Sequence, residues 1–223
     1  MIWLHNMRKS YRERGNITEV FRETNLLIPN GHCIGVLGAS GTGKTTLLKL
    51  ISGAELPSSG SVKVEGKLLW SKGIKPARHP QMTLRQNLRF LCRLYSRDEK
   101  EMEAMVEKIL EISGLSEYKE IIESKIPVTK KTFLNHAIII GLEMDWLLLE
   151  GSPVSKTNPL IHEAMKKKIS MTSTILVSRN EKHLLEYCDA GIVLHNHKLH
   201  YFDDIAEAVK FNKEQMEIYE KTS

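Results

Sequence analysis

The sequence predicts an α/β fold, a strand-and-helix core interrupted by a block of helices, and three observations predict it. A short apolar run, Cys33-Ile34-Gly35-Val36-Leu37, passes through a glycine-rich loop into an apolar stretch with helical spacing, Thr46 to Ile51. From Leu84 the period of the apolar residues changes to that of helices and stays there to about Gly141. From Trp146 short apolar runs again alternate with helical stretches. A chain of 223 residues, 41% hydrophobic and 26% charged, is long enough to bury one large core.

Taken in order, Ile2 to Leu4 and Glu19 to Ile28 read as strands, and Pro29-Asn30-Gly31 turns the chain into the strand at Cys33. Pro57-Ser58-Ser59-Gly60 is a turn cluster. Val62 to Trp70 alternates apolar and polar residues about a bend at Gly66, the pattern of a hairpin, and residues 71–80 read as a loop. Leu84, Leu88, Leu91 and Tyr95 share one helical face. A second helix opens on the cap-like pair Asp98 and Glu101, carries Met102, Met105, Val106, Ile109 and Leu110 as one stripe, and stops at Gly114. Trp146 to Leu149 then reads as a strand, His162 to Ile169 as a helix, Thr174 to Ser178 as a strand and Lys182 to Tyr187 as a short helix. A strand at Gly191 to Leu194 and two terminal helical segments complete the chain. This divides a single domain into a β-rich part with the loop (1–83), a helical subdomain (84–141) and the rest of the α/β core with C-terminal helices (142–223).

The net charge of +5 suits a nucleotide or an anionic surface and is too dispersed for a nucleic-acid partner. Lys166-Lys167-Lys168 reads as a solvated helix face. The N-terminus lacks the apolar stretch of a signal peptide. No apolar run approaches the roughly 18 residues of a membrane span; the stretch Ala137 to Leu149 is interrupted by Glu143 and Asp145. The expected place is the cytoplasm, or a membrane surface reached through a partner. Cys33, Cys92 and Cys188 lack metal spacing and read as reduced, buried thiols. His195, His197 and His200 have no accompanying carboxylate, fall in an expected terminal hairpin, and read as structural.

Gly38-Ala39-Ser40-Gly41-Thr42-Gly43-Lys44-Thr45 satisfies every fixed position of the phosphate-binding loop G-x-x-x-x-G-K-[ST], between a strand and a helix as that loop requires. Glycines let backbone N–H groups curl around a β-phosphate, and the helix start adds partial positive charge. Lys44 is placed for the β- and γ-phosphates and the Thr45 hydroxyl for Mg²⁺, and the nucleotide-binding stretch runs from Gly38 to Thr46. ATP with Mg²⁺ is the expected cofactor pair.

The order of elements resembles an ABC transporter ATPase subunit, and short motifs narrow the resemblance. Lys9-Ser10-Tyr11 resembles the loop whose aromatic ring, here Tyr11, stacks on adenine. Ser58-Ser59-Gly60-Ser61-Val62 resembles that family's turn after the loop helix. His79 to Phe90 and Tyr187-Cys188-Asp189 resemble segments of the branch that exports capsular polysaccharide, O-antigen or teichoic acid, as do the short length and the ending from Lys213 to Tyr219. The resemblance implies an ATP-binding subunit at the cytoplasmic face of the inner membrane. It would pair with an integral membrane permease and with a second ATPase, as homodimer or heterodimer.

Departures from the family pattern imply weak hydrolysis or none. Where the family has Asp-Glu after the apolar strand, this chain has Glu150-Gly151. Glu150 keeps a carboxylate for Mg²⁺ with one more methylene, and Gly151 has no side chain to polarise water, a role worth roughly 10²–10⁴-fold in rate. The switch histidine falls at Arg179, which can hold a phosphate but cannot act as a neutral base. The signature segment falls on Ile126-Pro127-Val128-Thr129-Lys130-Lys131, where only Lys130 or Lys131 could supply charge. The glutamine before the helical part falls near His79, with Gln81 as a substitute, and the loop aspartate falls near Thr157. Glu143 and Asp145 precede the strand at Trp146 and do not replace the missing base. Two other readings stay open: a nucleotide-sensing or scaffold protein without a motor role, and an unrelated phosphate-loop kinase.

Overall fold

The computed structural model describes residues 1–13, 15–152 and 158–222. Along the chain lie β1 (Ile2–Glu13), β2 (Asn16–Ile28), β3 (Cys33–Leu37), α1 (Lys44–Ile51), β4 (Ser59–Val64), β5 (Leu68–Trp70), α2 (Ser71–Ile74) and α3 (Leu84–Arg93). They are followed by α4 (Glu99–Ser113), α5 (Leu134–Gly141), β6 (Trp146–Glu150), α6 (Pro159–Met171), β7 (Ser173–Val177), α7 (Glu181–Tyr187), β8 (Ala190–His195), β9 (Lys198–Phe202) and α8 (Ile205–Thr222). Two units separate. The first holds Met1–Leu68, the β6 segment from Asp145, and the chain from Ile169 onward; the second holds Leu69–Met144 and α6 as far as Lys168.

In the first unit β2, β1 and β4 form an antiparallel sheet in that order. Ile2, Leu4, Met7, Phe21 and Ile28 are buried while their neighbours face water, as an antiparallel sheet with one wet face requires. β1 runs nine residues past the expected Leu4 because its second half pairs with β2 through a register shift around Asn6, which sits at φ 45°. Asn6 and Asn25 close that irregularity by exchanging two 2.8 Å hydrogen bonds.

The second sheet of this unit runs β6-β7-β3-β8-β9. β3, flanked by β7 and β8 in parallel, is buried at all five residues, which is why its sequence is apolar throughout and does not alternate. β8 and β9 form a two-residue hairpin about Asn196 and His197, both at positive φ, the backbone of a type I′ turn. His200 packs its ring 5.3 Å from that of Phe211 on α8, a structural contact. Cys33 and Cys188 lie buried with sulfurs 3.4 Å apart. Their mutual hydrogen bond, then burial, pushes the Cys33 thiol up, and burial pushes Cys92 to about 12, so both stay protonated and inert.

The expected hairpin across Val62 to Trp70 is corrected. β4 joins β1 (Leu4↔Val62), while the chain after Gly66 turns to Asp145: the Lys67 N–H donates to Asp145 Oδ2 at 2.6 Å, and Lys67 O accepts from Asp145 N and Trp146 N. Local alternation gave both arms strand character, but the long-range partner sent them to different neighbours. The loop expected over 71–80 begins with the helical turn α2, and one of the two terminal helices is replaced by β9.

In the second unit, Thr83 and Gln86 form a reciprocal capping box on α3, and the Asp98 side chain accepts from Glu101 N at 2.8 Å on α4. Gly114 ends α4 at φ 66°, with Leu115 N bonded back to Leu110 O. Met102, Met105, Val106, Ile109 and Leu110 are buried as the stripe predicts. α5 approaches α4 so closely that a Cβ on Gly141 would lie 2.5 Å from Ile109 Cγ1.

Candidate functional site

The C-terminal ends of three adjacent parallel strands build the site. Val36 of β3 pairs with Val177 of β7, and Glu150 of β6 pairs with the same Val177. The loop after Leu37, Ser178-Arg179 and Glu150-Gly151 therefore leave the sheet side by side, at the edge where open α/β sheets bind ligands.

The loop itself is shaped by glycines that no other residue replaces. Gly43 sits at φ 102° and caps α1, and a Cβ there would lie 2.5 Å from Val20 Cγ1. A Cβ on Gly38, at φ 140°, would lie 2.8 Å from Leu194 O. The Thr42 hydroxyl donates to Ala39 O at 2.9 Å, and the Lys44 ammonium folds back to Gly38 O at 2.6 Å and Ala39 O at 2.7 Å. Lys44 thus points into the curl of the loop. Its pKa is pushed down first by burial and then by the nearby charge of Arg179. A lysine held in a glycine cradle at a helix start is stabilised by an anion.

Glu150 reaches the loop. Its Oε2 lies 3.5 Å from the Thr45 hydroxyl, which donates to it. Two oxygens bound to one Mg²⁺ at ~2.1 Å in octahedral array stand about 3 Å apart, so this hydroxyl and carboxylate fit the ion's preference for hard oxygen donors. The extra methylene of Glu150 does not carry its carboxylate past Thr45. Gly151 sits at φ 94° with its amide bonded to Val177 O at 2.9 Å, and open space lies where a Cβ would project. In the segment after β7, Ser178 Oγ contacts His183 Nδ1 at 3.4 Å, and Asn180 caps α7.

Tyr11 is carried on β1, opposite Thr18, and not on a loop. Its hydroxyl donates to Glu55 Oε2 at 2.6 Å and lies 3.4 Å from Thr46 Oγ1, which places it beside α1. Thus Tyr11, Gly38 to Thr46, Glu150 and Arg179 all belong to the first unit. Thr157 lies outside the described residues.

The positions matched to the family's glutamine and signature segments belong to the second unit. Asn87, 1% exposed, clamps His79 from both sides: His79 N donates to Asn87 Oδ1 at 2.8 Å, and Asn87 Nδ2 donates to His79 O at 2.9 Å. Asn87 Nδ2 also donates to Glu123 Oε2 at 2.8 Å, and Arg78 Nη1 lies 3.4 Å from Glu123 Oε1 with both side chains nearly buried. Gln81 is exposed, and its backbone N–H donates to His79 Nδ1 at 3.3 Å. Pro127 O accepts from Lys130 N and Lys131 N to form a tight turn, with Val128 81% exposed at its tip. The Lys131 ammonium is tied inward to Glu123 O at 2.7 Å, leaving Lys130 as the lysine displayed at this turn. The buried Arg78–Glu123–Asn87 group and the Tyr11–Glu55 hydrogen bond carry no sequence signal, because their members are scattered along the chain and match no motif.

Comparison with known proteins agrees with this geometry. The family model described as ABC transporter matches residues 21–133. The chain is 30% identical over 218 residues to the ATP-binding protein BexA of Haemophilus influenzae, covering 96% of this chain and 99% of that one. It is 28% identical to the polysialic acid transport ATP-binding protein KpsT of Escherichia coli, over 97% and 100% of the two chains. With the capsule polysaccharide export ATP-binding protein CtrD of Neisseria meningitidis serogroup B it shares 29% identity, over 95% and 98%. Among solved structures, an ATP binding subunit of an ABC transporter superposes with a TM-score of 0.75 at 17% identity, covering 95% of this chain and 93% of that chain. A dimeric ATP-binding cassette in a post-hydrolysis state with ADP and Pi gives a TM-score of 0.72 at 15% identity, covering 92% and 99%. Cradle, carboxylate, strand order and similarity along the length agree: the chain belongs to the ABC transporter family, in the form of its ATP-binding cassette.

Proposed function

We propose that this chain is the ATP-binding subunit of an exporter of cell-surface polysaccharide, and that by itself it hydrolyses ATP weakly or not at all. The observation that carries the cargo class is near end-to-end similarity to three ATP-binding proteins, two of them named for polysialic acid transport and capsule polysaccharide export. Among the described residues no helix is long and apolar enough to cross a membrane; in this reading an integral membrane permease would be the partner through which the polysaccharide passes.

Gly38 to Thr46 would hold the triphosphate of ATP through backbone N–H groups and Lys44, Tyr11 would take the adenine, and Thr45 with Glu150 would hold Mg²⁺. That ion, when bound, neutralises charge on the β- and γ-phosphates. Arg179 adds a fixed positive charge next to Lys44 and supports retention of the γ-phosphate, but it cannot take up a proton. Gly151 presents no side chain to a water molecule. A site with strong anion contacts and no base holds ATP longer than it turns it over. In the turn at Pro127 to Lys131, Val128 has no hydroxyl where the family signature has serine, and Thr129 cannot approach a phosphate as the signature glycine does, which favours pairing with a second ATPase that supplies an intact signature.

Affinity purification of the tagged chain from detergent-solubilised membranes, with identification of the integral membrane proteins that accompany it, tests the export role. A permease in stoichiometric amount, and loss of a surface polysaccharide when the gene is deleted, are expected. Soluble partners only, with surface polysaccharide unchanged, would instead establish a sensor or scaffold.

A further inference from the structure

Glu55 lies in the turn after α1, a stretch the sequence marks only as a link to Pro57. Its carboxylate gathers three cationic or phenolic donors from two parts of the first unit. Oε2 accepts from the Tyr11 hydroxyl at 2.6 Å and pairs with Lys9 Nζ at 3.1 Å, and Oε1 accepts from Lys49 Nζ at 2.7 Å. Lys9 also donates to Leu56 O at 3.0 Å and holds its ammonium 4.8 Å from the centre of the Tyr11 ring. The Tyr11 hydroxyl touches Thr46, the residue after the loop threonine. The ring is therefore fixed at its hydroxyl end by Glu55 and Thr46 and over one face by a lysine that the same carboxylate holds. The Lys49 hydrogen bond, then that of Tyr11, keeps the Glu55 carboxyl down to about 2, so the clamp is charged throughout the neutral range.

We propose that Glu55 is a positioning residue for base recognition: it fixes Tyr11 and Lys9 against α1 as one platform for the adenine of the nucleotide whose phosphates the loop takes. The proposal rests on the reading of Tyr11 as the base-stacking residue. An aromatic ring contributes to base stacking in proportion to how fully it is held before the base arrives. Without Glu55 the phenol and two ammonium groups lose their common acceptor, and binding must restore their order. The phosphate contacts, made by the loop, are unaffected.

The test separates base from phosphate. Affinities for ATP and for inorganic tripolyphosphate are measured by calorimetry for wild type, Glu55→Ala, Glu55→Gln and Tyr11→Ala, each first shown to keep the wild-type circular dichroism spectrum. Glu55→Ala is expected to weaken ATP about 3- to 10-fold, the cost of ordering one or two side chains, and to leave tripolyphosphate unchanged or slightly tighter because a negative charge is gone. Glu55→Gln, which keeps an acceptor for Tyr11 but not the ion pairs, falls between. Equal loss for both ligands, or no loss for ATP while Tyr11→Ala does lose affinity, overturns the role of Glu55 and leaves that of Tyr11 standing. If Tyr11→Ala binds ATP as wild type does, the reading of Tyr11 fails and the role of Glu55 fails with it.

Discussion

Glu123→Ala is expected to be among the most destabilising single changes in the second unit. The Glu123 side chain is 11% exposed and faces the Arg78 guanidinium, 8% exposed, at 3.4 Å. It also accepts one of the two hydrogen bonds made by Asn87 Nδ2. Truncation leaves a buried guanidinium without the carboxylate it faces, and breaking a buried pair from one side costs about 3–5 kcal/mol. The Asn87 amide keeps its bond to His79 O at 2.9 Å, so it adds little. At about 2–4 °C per kcal/mol for a chain of this size, Tm should fall by about 6–20 °C. Urea unfolding followed by circular dichroism measures the free energy directly. Replacing both partners, Arg78→Met with Glu123→Leu, should recover most of the loss, since an apolar pair of similar volume is often as stable as the ion pair it replaces. A loss below about 1 kcal/mol for Glu123→Ala would refute the reasoning, because it would mean that Arg78 escapes to water at little cost.

Other consequences follow from the first unit. Gly43→Ala places a Cβ 2.5 Å from Val20 Cγ1 at a φ of 102° and should destabilise by about 2–4 kcal/mol while abolishing ATP binding, measured by thermal shift and calorimetry. The Cβ of Gly151→Glu meets no described atom within 4 Å but must adopt a φ of 94°, so the variant should lose about 1–2 kcal/mol of stability while raising the phosphate-release rate over wild type; an unchanged rate would mean that a carboxylate at position 151 does not serve as the base. Because the folded-state pKa of Glu55 is depressed from 4.5 to about 2, its contribution to stability is present above pH 4.5 and lost as pH falls toward 2. The Tm difference between wild type and Glu55→Gln should therefore be visible at pH 7 and vanish near pH 2.

Much of the fold was legible where a local rule fixes the backbone. The loop Gly38 to Thr45 needs a strand before it and a helix after it, and β3 and α1 supply them. Asp98, Glu101 and Gly114 mark the ends of α4 through hydrogen bonds made within a few residues. What stayed hidden depends on partners distant in sequence. The fate of the chain after Gly66 is decided by Asp145, some eighty residues away, and no alternation within 62–70 encodes that choice. β1 beyond Leu4 is polar on its exposed side and is held as a strand by β2, so its sequence lacks an apolar signature. The site divides in the same way. The juxtaposition of Lys44, Thr45 and Glu150 could be anticipated because motif and strand end place them, whereas Glu55 sits in a turn whose sequence is unremarkable and owes its contacts to Lys9, Tyr11 and Lys49.

Whether this phosphate cradle is joined to a site without a base is decided by steady-state phosphate release from the purified chain with MgATP. Lys44→Ala serves as the blank for contaminating activity, and ATP binding is measured on the same preparations. Wild type is expected to bind ATP but to release phosphate no faster than the blank. Release well above the blank would contradict it and would mean that a carboxylate, Glu150 or another, activates water in a site that Gly151 does not disable.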